Sequence, residues 1–285
     1  MQKRLYEKVD WPNKARIVLS LVFNIEAWSL DQSLLPVYSP FPSNAKTQMD
    51  SNVVNDREYA QKVGLWRLLD ILDYYNIKMT AVVSGLAAER YPQMIKEIDE
   101  RGHEIAGHSY DQSRHLVTLE PEEEKEDIKK TISAIEKAIH KKPIGWMSQA
   151  ARCTERTAEI LVQNGMIWHS DYLDDDLPYF VRVNKKTLLA IPYDCFISND
   201  LPIYIKQQRT AEEALKLLIY EFDALYEEGQ KYPKIMSYGI HPYITGRPGR
   251  AKAFKEFIEY VTKLPNVWVA KRIEIAKWWF DNYSK

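Results

Sequence analysis

About seven or eight short apolar runs recur along this chain, nearly every one followed by a stretch of helical periodicity. That order restricts the fold strongly, because parallel strands need a crossover between them and a helix is the usual one. The runs fall at residues 17–23, 79–83, 104–106, 144–146, 166–169, 188–192, 234–240 and 267–269. So many units favour a closed or nearly closed barrel over an open sheet. The first run is apolar on both faces apart from Ser20, as expected of a strand covered on both sides. No internal repeat and no Gly/Ser linker divides the chain, so residues 1–285 read as one domain.

Local signals set the helices between the runs. A pattern with Val63, Leu65, Leu68 and Leu72 predicts a helix over 58–75, with Asn76 as its stop. Pro92 opens a helix bearing Met94, Ile95 and Ile98 that ends at Gly102. Thr118 and Pro121 start another, with Ile128, Ile132, Ile135 and Ile139 on one face, and a helix over 154–163 stops at Gly165. Thr210 to Glu213 is a capping box for a helix that ends at Gly229. Helices are also expected over 248–263 and 273–280. Residues from about 29 to 56, with Pro36, Pro40 and Pro42, read as a long loop insertion. Leu34, Leu35, Val37, Tyr38 and Phe41 are more apolar than a free loop should expose, which suits a subunit contact.

Charge excludes one class of partner. Lys plus Arg (39) and Asp plus Glu (40) leave a net charge of -1, without the basic surplus that nucleic acid demands. The dense run 120–130 passes from acidic to basic, the polarity a helix dipole favours, and reads as a solvated helix face. The first residues lack the apolar core of a secretory signal and no run is long enough to span a bilayer, so a cytoplasmic protein without a membrane partner is expected. Cys153 and Cys195 are too few for a disulfide framework and read as reduced thiols.

The chemistry-bearing residues cluster at the ends of the runs. His103 and Glu104 open one strand, and the loop after it carries His108 and His115. The first strand continues into Asn24-Ile25-Glu26, and residues two apart on a strand share a face, so Asn24 and Glu26 are aimed together. In a barrel the C-terminal strand ends meet at one mouth. Asn24, Glu26, residues 108–115, residues 146–152, Asp171 and His241 are therefore expected to converge.

These groups, with Trp11-Pro12, Gly102-His103-Glu104-Ile105, the stretch 170–179, His241-Pro242 with the loop 246–250, and Trp268 to Trp278, resemble the polysaccharide-deacetylase (NodB-homology) family. The likeness is greatest to its branch of cytoplasmic small-amide hydrolases, which includes the metal-independent bacterial allantoinase. The resemblance covers nearly the whole chain and implies a single-domain α/β fold, a distorted or incomplete (β/α) barrel of the polysaccharide-deacetylase type. It also implies departures. Asn24 stands where metal-dependent members have a base aspartate, Glu26 where they have a metal aspartate, and Gln112 where they have the second histidine of His-x-x-x-His. Met147 replaces an arginine and Gln149 a proline, with Arg152 near enough to restore the charge. An amide cannot take a proton from water, and a neutral amide oxygen is a poor substitute for imidazole on zinc.

The resemblance assigns catalysis to Glu26, His108 and His241, with His241 protonating the leaving nitrogen. It assigns substrate contact to Asn24, Trp28, Tyr110, Gln112, Trp146 and Arg152. No tightly bound cofactor is expected; a divalent metal such as zinc, if used, would fall to Glu26 and His108 with Gln112 or His115. A plainer reading stands beside each: Glu26 bonded to loop amides, His241 merely ending a strand. Asp171 and Asp174-Asp175-Asp176 read as structural turns, and Arg247 and Arg250 as apt for an anionic group. The implied function is hydrolysis of a carbon–nitrogen bond, other than a peptide bond, in a small amide or ureide, by a homo-oligomer expected to be a tetramer. Two alternatives stay open: a metal-dependent deacetylase of an N-acetylated sugar, and a catalytically silent binding or subunit protein.

Overall fold

The structure, a computed structural model, describes residues 8–29, 42–47 and 49–284. Strand β1 (Ile17–Ile25) lies near one end of a sheet that has nine strands among the described residues. The other strands are β2 (Thr80–Val83), β3 (Glu104–Gly107), β4 (Gly145–Trp146), β5 (Trp168–His169), β6 (Tyr179–Val183), β7 (Lys186–Ala190), β8 (Lys234–Ile240) and β9 (Val267–Val269). Their order is β6-β7-β5-β4-β3-β2-β1-β8, with β9 paired to the first residues of β1. Every pairing is parallel except the β6–β7 hairpin. The sheet therefore curls into a barrel left open between β6 and β8.

Alternation along β1 separates two cores. Ile17, Leu19, Leu21, Phe23 and Ile25 face outward beneath α2 (Leu65–Tyr74) and α9 (Pro248–Thr262). Val18 and Val22 face inward, with Val82, Ala106, Met147, Trp168, Leu189 and Ile191 from the neighbouring strands. Ser20 and Asn24 share that inward register and are buried. At the floor lies Arg272, the first residue of α10 (Arg272–Tyr283) and fully buried. Its guanidinium donates to the Ile191 carbonyl at 2.9 Å and Ser237 Oγ at 2.6 Å and stands 5.6 Å from the Tyr193 ring centroid. Burial pushes its pKa down to about 10, still high enough to keep the charge at neutral pH.

Several local expectations need correction. The helix expected over 58–75 starts earlier, as α1 (Ser51–Tyr59), where the Asp50 side chain accepts from Asn52 N. It then passes through a π-helical turn (Ala60–Gly64) into α2. At Gly64 any Cβ would collide with the Pro242 carbonyl, so glycine lets this turn rest directly on the loop carrying His241. The loop insertion is thus shorter than 29–56, and Leu34, Leu35, Val37, Tyr38 and Phe41 lie outside the described residues. Strand β6 has no counterpart in the sequence reading, because its burial is only partial and it pairs through a hairpin rather than a crossover. The remaining helices are α3 (Gly85–Arg90), α4 (Pro92–Glu100), α5 (Pro121–Ile139), α6 (Thr157–Gln163), α7 (Ala211–Glu228) and α8 (Pro242–Thr245). The capping box of α7 forms as read, with Glu213 N donating to Thr210 Oγ1 at 3.2 Å.

Candidate active site

The inward register of β1 carries Asn24 and then Glu26 to the barrel mouth, and the inward registers of β3 and β8 carry His108 and His241 to the same place. These four line one cavity of about 400 Å³. His108 and His241 are buried, and Glu26 keeps 11% of its side-chain surface. The Glu26 carboxylate stands between the imidazoles, Oε1 3.4 Å from His108 Nε2 and Oε2 3.8 Å from His241 Nε2.

Each imidazole is oriented by its other nitrogen. His108 Nδ1 is 2.7 Å from the Met147 carbonyl, which can only accept, so Nδ1 carries a proton and Nε2 faces Glu26. His241 Nδ1 is 2.6 Å from Asp200 Oδ1. Burial alone would depress His241, but Asp200 and then Glu26 outweigh it and raise its pKa to about 9, so it is an imidazolium at neutral pH. For Glu26, burial would raise the carboxyl pKa; His241, His108 and Arg57 reverse this and lower it. The result is a carboxylate and a cation in contact, next to a second imidazole able to take a proton.

The other assigned residues divide. Trp28, Gln112 and Arg152 line the cavity, with the Arg57 guanidinium 4.1 Å above the Trp28 ring. Asn24 Nδ2 donates to the Ile240 carbonyl at 3.3 Å, tying β1 to β8. Tyr110 and Trp146 are not at the cavity. Ser109 adopts φ 54°, which turns the chain so that Tyr110 lies between α3 and α5, its hydroxyl on Glu89 and the Lys130 ammonium 3.7 Å from its ring centroid. Trp146 occupies the outward register of β4, fully buried among Ile128, Ile160 and Leu161, and Met147 takes the inward place beside it. His103 accepts from Met79 N, and burial, then Lys78, lowers its pKa to about 4. Glu104, at the far end of β3, accepts from Thr80 Oγ1, Ile273 N and Trp168 Nε1.

Asp171 caps a turn, accepting from Ser148 N and Oγ. Arg247 pairs with Asp56 at 2.6 Å and stacks on Tyr59, while Arg250 stacks on Tyr204. Neither lines the cavity, so the anion role expected of that loop is corrected to a structural one. Burial pushes both Cys153 and Cys195 thiols up to about 12, unsuited to a nucleophile. Sequence reasoning missed Asp200, Arg57, Tyr193 and Tyr243. Asp200 precedes a π-helical turn (Leu201–Lys206) in a stretch without periodicity, and nothing in the sequence ties it to His241 across 41 residues.

A carboxylate thus lies between two imidazoles at the mouth of an open parallel barrel. Comparisons with known proteins give the family. Residues 56–167 match the polysaccharide deacetylase family model. A Schizosaccharomyces pombe protein named "Putative polysaccharide deacetylase" is 30% identical, over 94% of this chain and 92% of its own length. The Helicobacter pylori peptidoglycan deacetylase is 25% identical over 74% of this chain and 82% of its own. A crystal structure of PuuE allantoinase superposes with TM-score 0.85 at 29% identity, covering 96% of this chain and 94% of that one. The chain belongs to the polysaccharide deacetylase family and is a deacetylase-type hydrolase of polysaccharide or amide bonds.

The family implies a divalent cation, and the donors here do not fit one. Among the described residues no group of three His, Cys, Asp or Glu side chains is placed so that it could hold a metal ion. Gln112 donates its Nε2 to the His108 carbonyl at 2.5 Å, and its Oε1 is shut away from the cavity's solvent. His115 lines the cavity with its Nδ1 likewise enclosed, and burial, then Arg152, pushes its pKa down.

Proposed function

We propose that this chain hydrolyses a carbon–nitrogen bond, other than a peptide bond, in a small amide or ureide, without a tightly held metal. The observation that carries the reading is Glu26 held between His108 and a charged His241. Water beside Glu26 and His108 adds its oxygen to the carbonyl carbon and yields its proton to His108 Nε2. The oxyanion forms next to the His241 imidazolium, which stabilises it. As the carbon–nitrogen bond breaks, His241 Nε2 gives its proton to the leaving nitrogen. Glu26, in reach of both rings, returns the proton from His108 to His241, and acid and amine depart.

Cavity volume and lining support a small substrate: about 400 Å³ walled by Trp28, Tyr193 and Tyr243 with a few polar groups. A cytoplasmic setting is part of the proposal, supported by two unpaired cysteines, and so is a tetramer. A second reading, a metal-dependent deacetylase of an N-acetylated sugar, is favoured by the similarity to the Helicobacter pylori peptidoglycan deacetylase. The test is release of ammonia or amine from a panel of small amides, ureides and N-acetylated sugars. Turnover of an amide or ureide that is lost in Glu26→Gln is expected. Turnover of N-acetylated sugars alone, or of nothing in the panel, overturns the proposal.

A further inference from the structure

Among the described residues, the two carboxylates that line the cavity are committed: Glu26 to the two imidazoles and Asp56 to Arg247. Two cations on the same lining are not. Among the described residues neither Arg152 nor Lys206 makes a side-chain hydrogen bond or ion pair.

Arg152 is presented by the turn Gln149–Ala151, where Ala150 and Ala151 adopt φ 52° and 53°. Alanine takes up that left-handed conformation only where its surroundings impose it. They do: Gln149 N donates to Ser109 Oγ at 3.3 Å, Gln149 Nε2 to the Gln112 carbonyl, and Arg152 N to the Gln149 carbonyl at 3.0 Å. The backbone under Arg152 is thereby fixed to the loop that carries His108. Lys206 comes from a separate element, the end of the π-helical turn before α7. The same lining includes the apolar Trp28, Leu173, Phe196 and Tyr243. Both side chains are exposed at the cavity, where an entering ligand can reach them, and their positive charge draws in an anion.

We infer that Arg152, assisted by Lys206, binds a carboxylate on the substrate, so that the substrate class is an amide or ureide that also carries a carboxylate. The inference rests on the hydrolase reading and narrows it. A planar guanidinium donates two parallel hydrogen bonds to a carboxylate, whereas a neutral carboxamide offers only one weaker acceptor.

Calorimetric titration of the full chain as Glu26→Gln, in which turnover is expected to be slowed by about 10²- to 10⁴-fold, tests this with N-acetylglycinate and N-carbamoylglycinate against their neutral carboxamides. The carboxylates should bind tighter than the carboxamides by about tenfold or more, the scale of a charge-assisted hydrogen bond. Adding Arg152→Ala should bring the two to parity, Arg152→Lys should recover part of the preference, and Lys206→Ala should lose a smaller part. Lys252→Ala, on α9 and paired with Glu256, should change neither affinity. Equal affinities before Arg152 is altered, a preference that survives Arg152→Ala, or no binding of either carboxylate up to about 10 mM would each overturn the inference. Turnover without any carboxylate preference leaves the hydrolase reading standing and removes this one. Carboxylate binding through Arg152 in a chain that hydrolyses nothing removes the hydrolase reading, and with it the substrate assignment, and leaves Arg152 as a carboxylate-binding residue only.

Discussion

Asp200 holds His241 by both of its oxygens: Oδ1 lies 2.6 Å from the ring Nδ1, and Oδ2 accepts from the His241 backbone N–H at 2.6 Å. Oδ2 also accepts from Thr245 Oγ1 at 2.7 Å, which fixes the carboxylate against α8. Asp200→Asn keeps the shape and removes the charge that most raises His241. Turnover should fall by about a hundredfold or more, the usual worth of a positioned general acid. The alkaline limb of kcat/KM, set by His241 near 9 in the parent, should move to lower pH. Histidine NMR titration alongside the pH–rate profile reads both, and an unmoved limb in Asp200→Asn would show that His241 is not the titrating acid.

Glu26→Gln removes the carboxylate between the rings. The expected loss in kcat is about 10²- to 10⁴-fold with the fold retained by circular dichroism. Stability follows the same charges. Glu26 has a lowered pKa in the folded chain, so its contribution is present above the unfolded value and lost as pH falls through the folded one. His241 has a raised pKa, so its contribution is complete below its unfolded value of about 6.5 and is lost as pH rises through about 9. In Glu26→Gln the acid loss should shrink and the alkaline loss should begin at lower pH. Melting temperatures between about pH 3 and 10 measure both shifts, and curves that superpose on the parent's would deny the coupling.

Much of this site could be read from the chain because period-two alternation ties sequence to direction. Asn24 and Glu26, placed two apart on a buried strand, do share the inward face, and His241 does continue the inward register of β8. The same rule, applied to β4, would have sent Trp146 outward and Met147 inward. Tyr110 was beyond that rule, since it depends on a left-handed residue at Ser109 that no residue type announces. Asp200 and Arg57 reach the site by tertiary packing from segments without a strand register, so proximity in sequence says nothing about them. The order of strands and helices was legible; the opening between β6 and β8 rests on a hairpin that carries no strong apolar signal.

Gly145 lies under the Trp168 indole, where an added Cβ would overlap the ring. Gly145→Ala should destabilise the chain by about 1–3 kcal/mol through overpacking. Urea unfolding followed by tryptophan fluorescence measures it, and a midpoint equal to the parent's would contradict the packing described for the inner core.

Arg272 closes the barrel floor and satisfies the Ile191 and Pro192 carbonyls together with Ser237. Arg272→Ala leaves a cavity and unpaired acceptors, for an expected cost of about 3–5 kcal/mol. Its effect should be on the unfolding midpoint. A loss of activity at undiminished stability would mean that the floor communicates with the site in a way its contacts do not explain.

The most direct test of the account is amide and ureide turnover by protein dialysed against a chelator, with metal content measured on the same sample. The donor set around Glu26 and His108 predicts full activity with far less than one zinc, iron or nickel per chain, and no gain on adding zinc. Activity that disappears with the metal and returns with about one equivalent of zinc would contradict it and move the chain to the metal-dependent deacetylases.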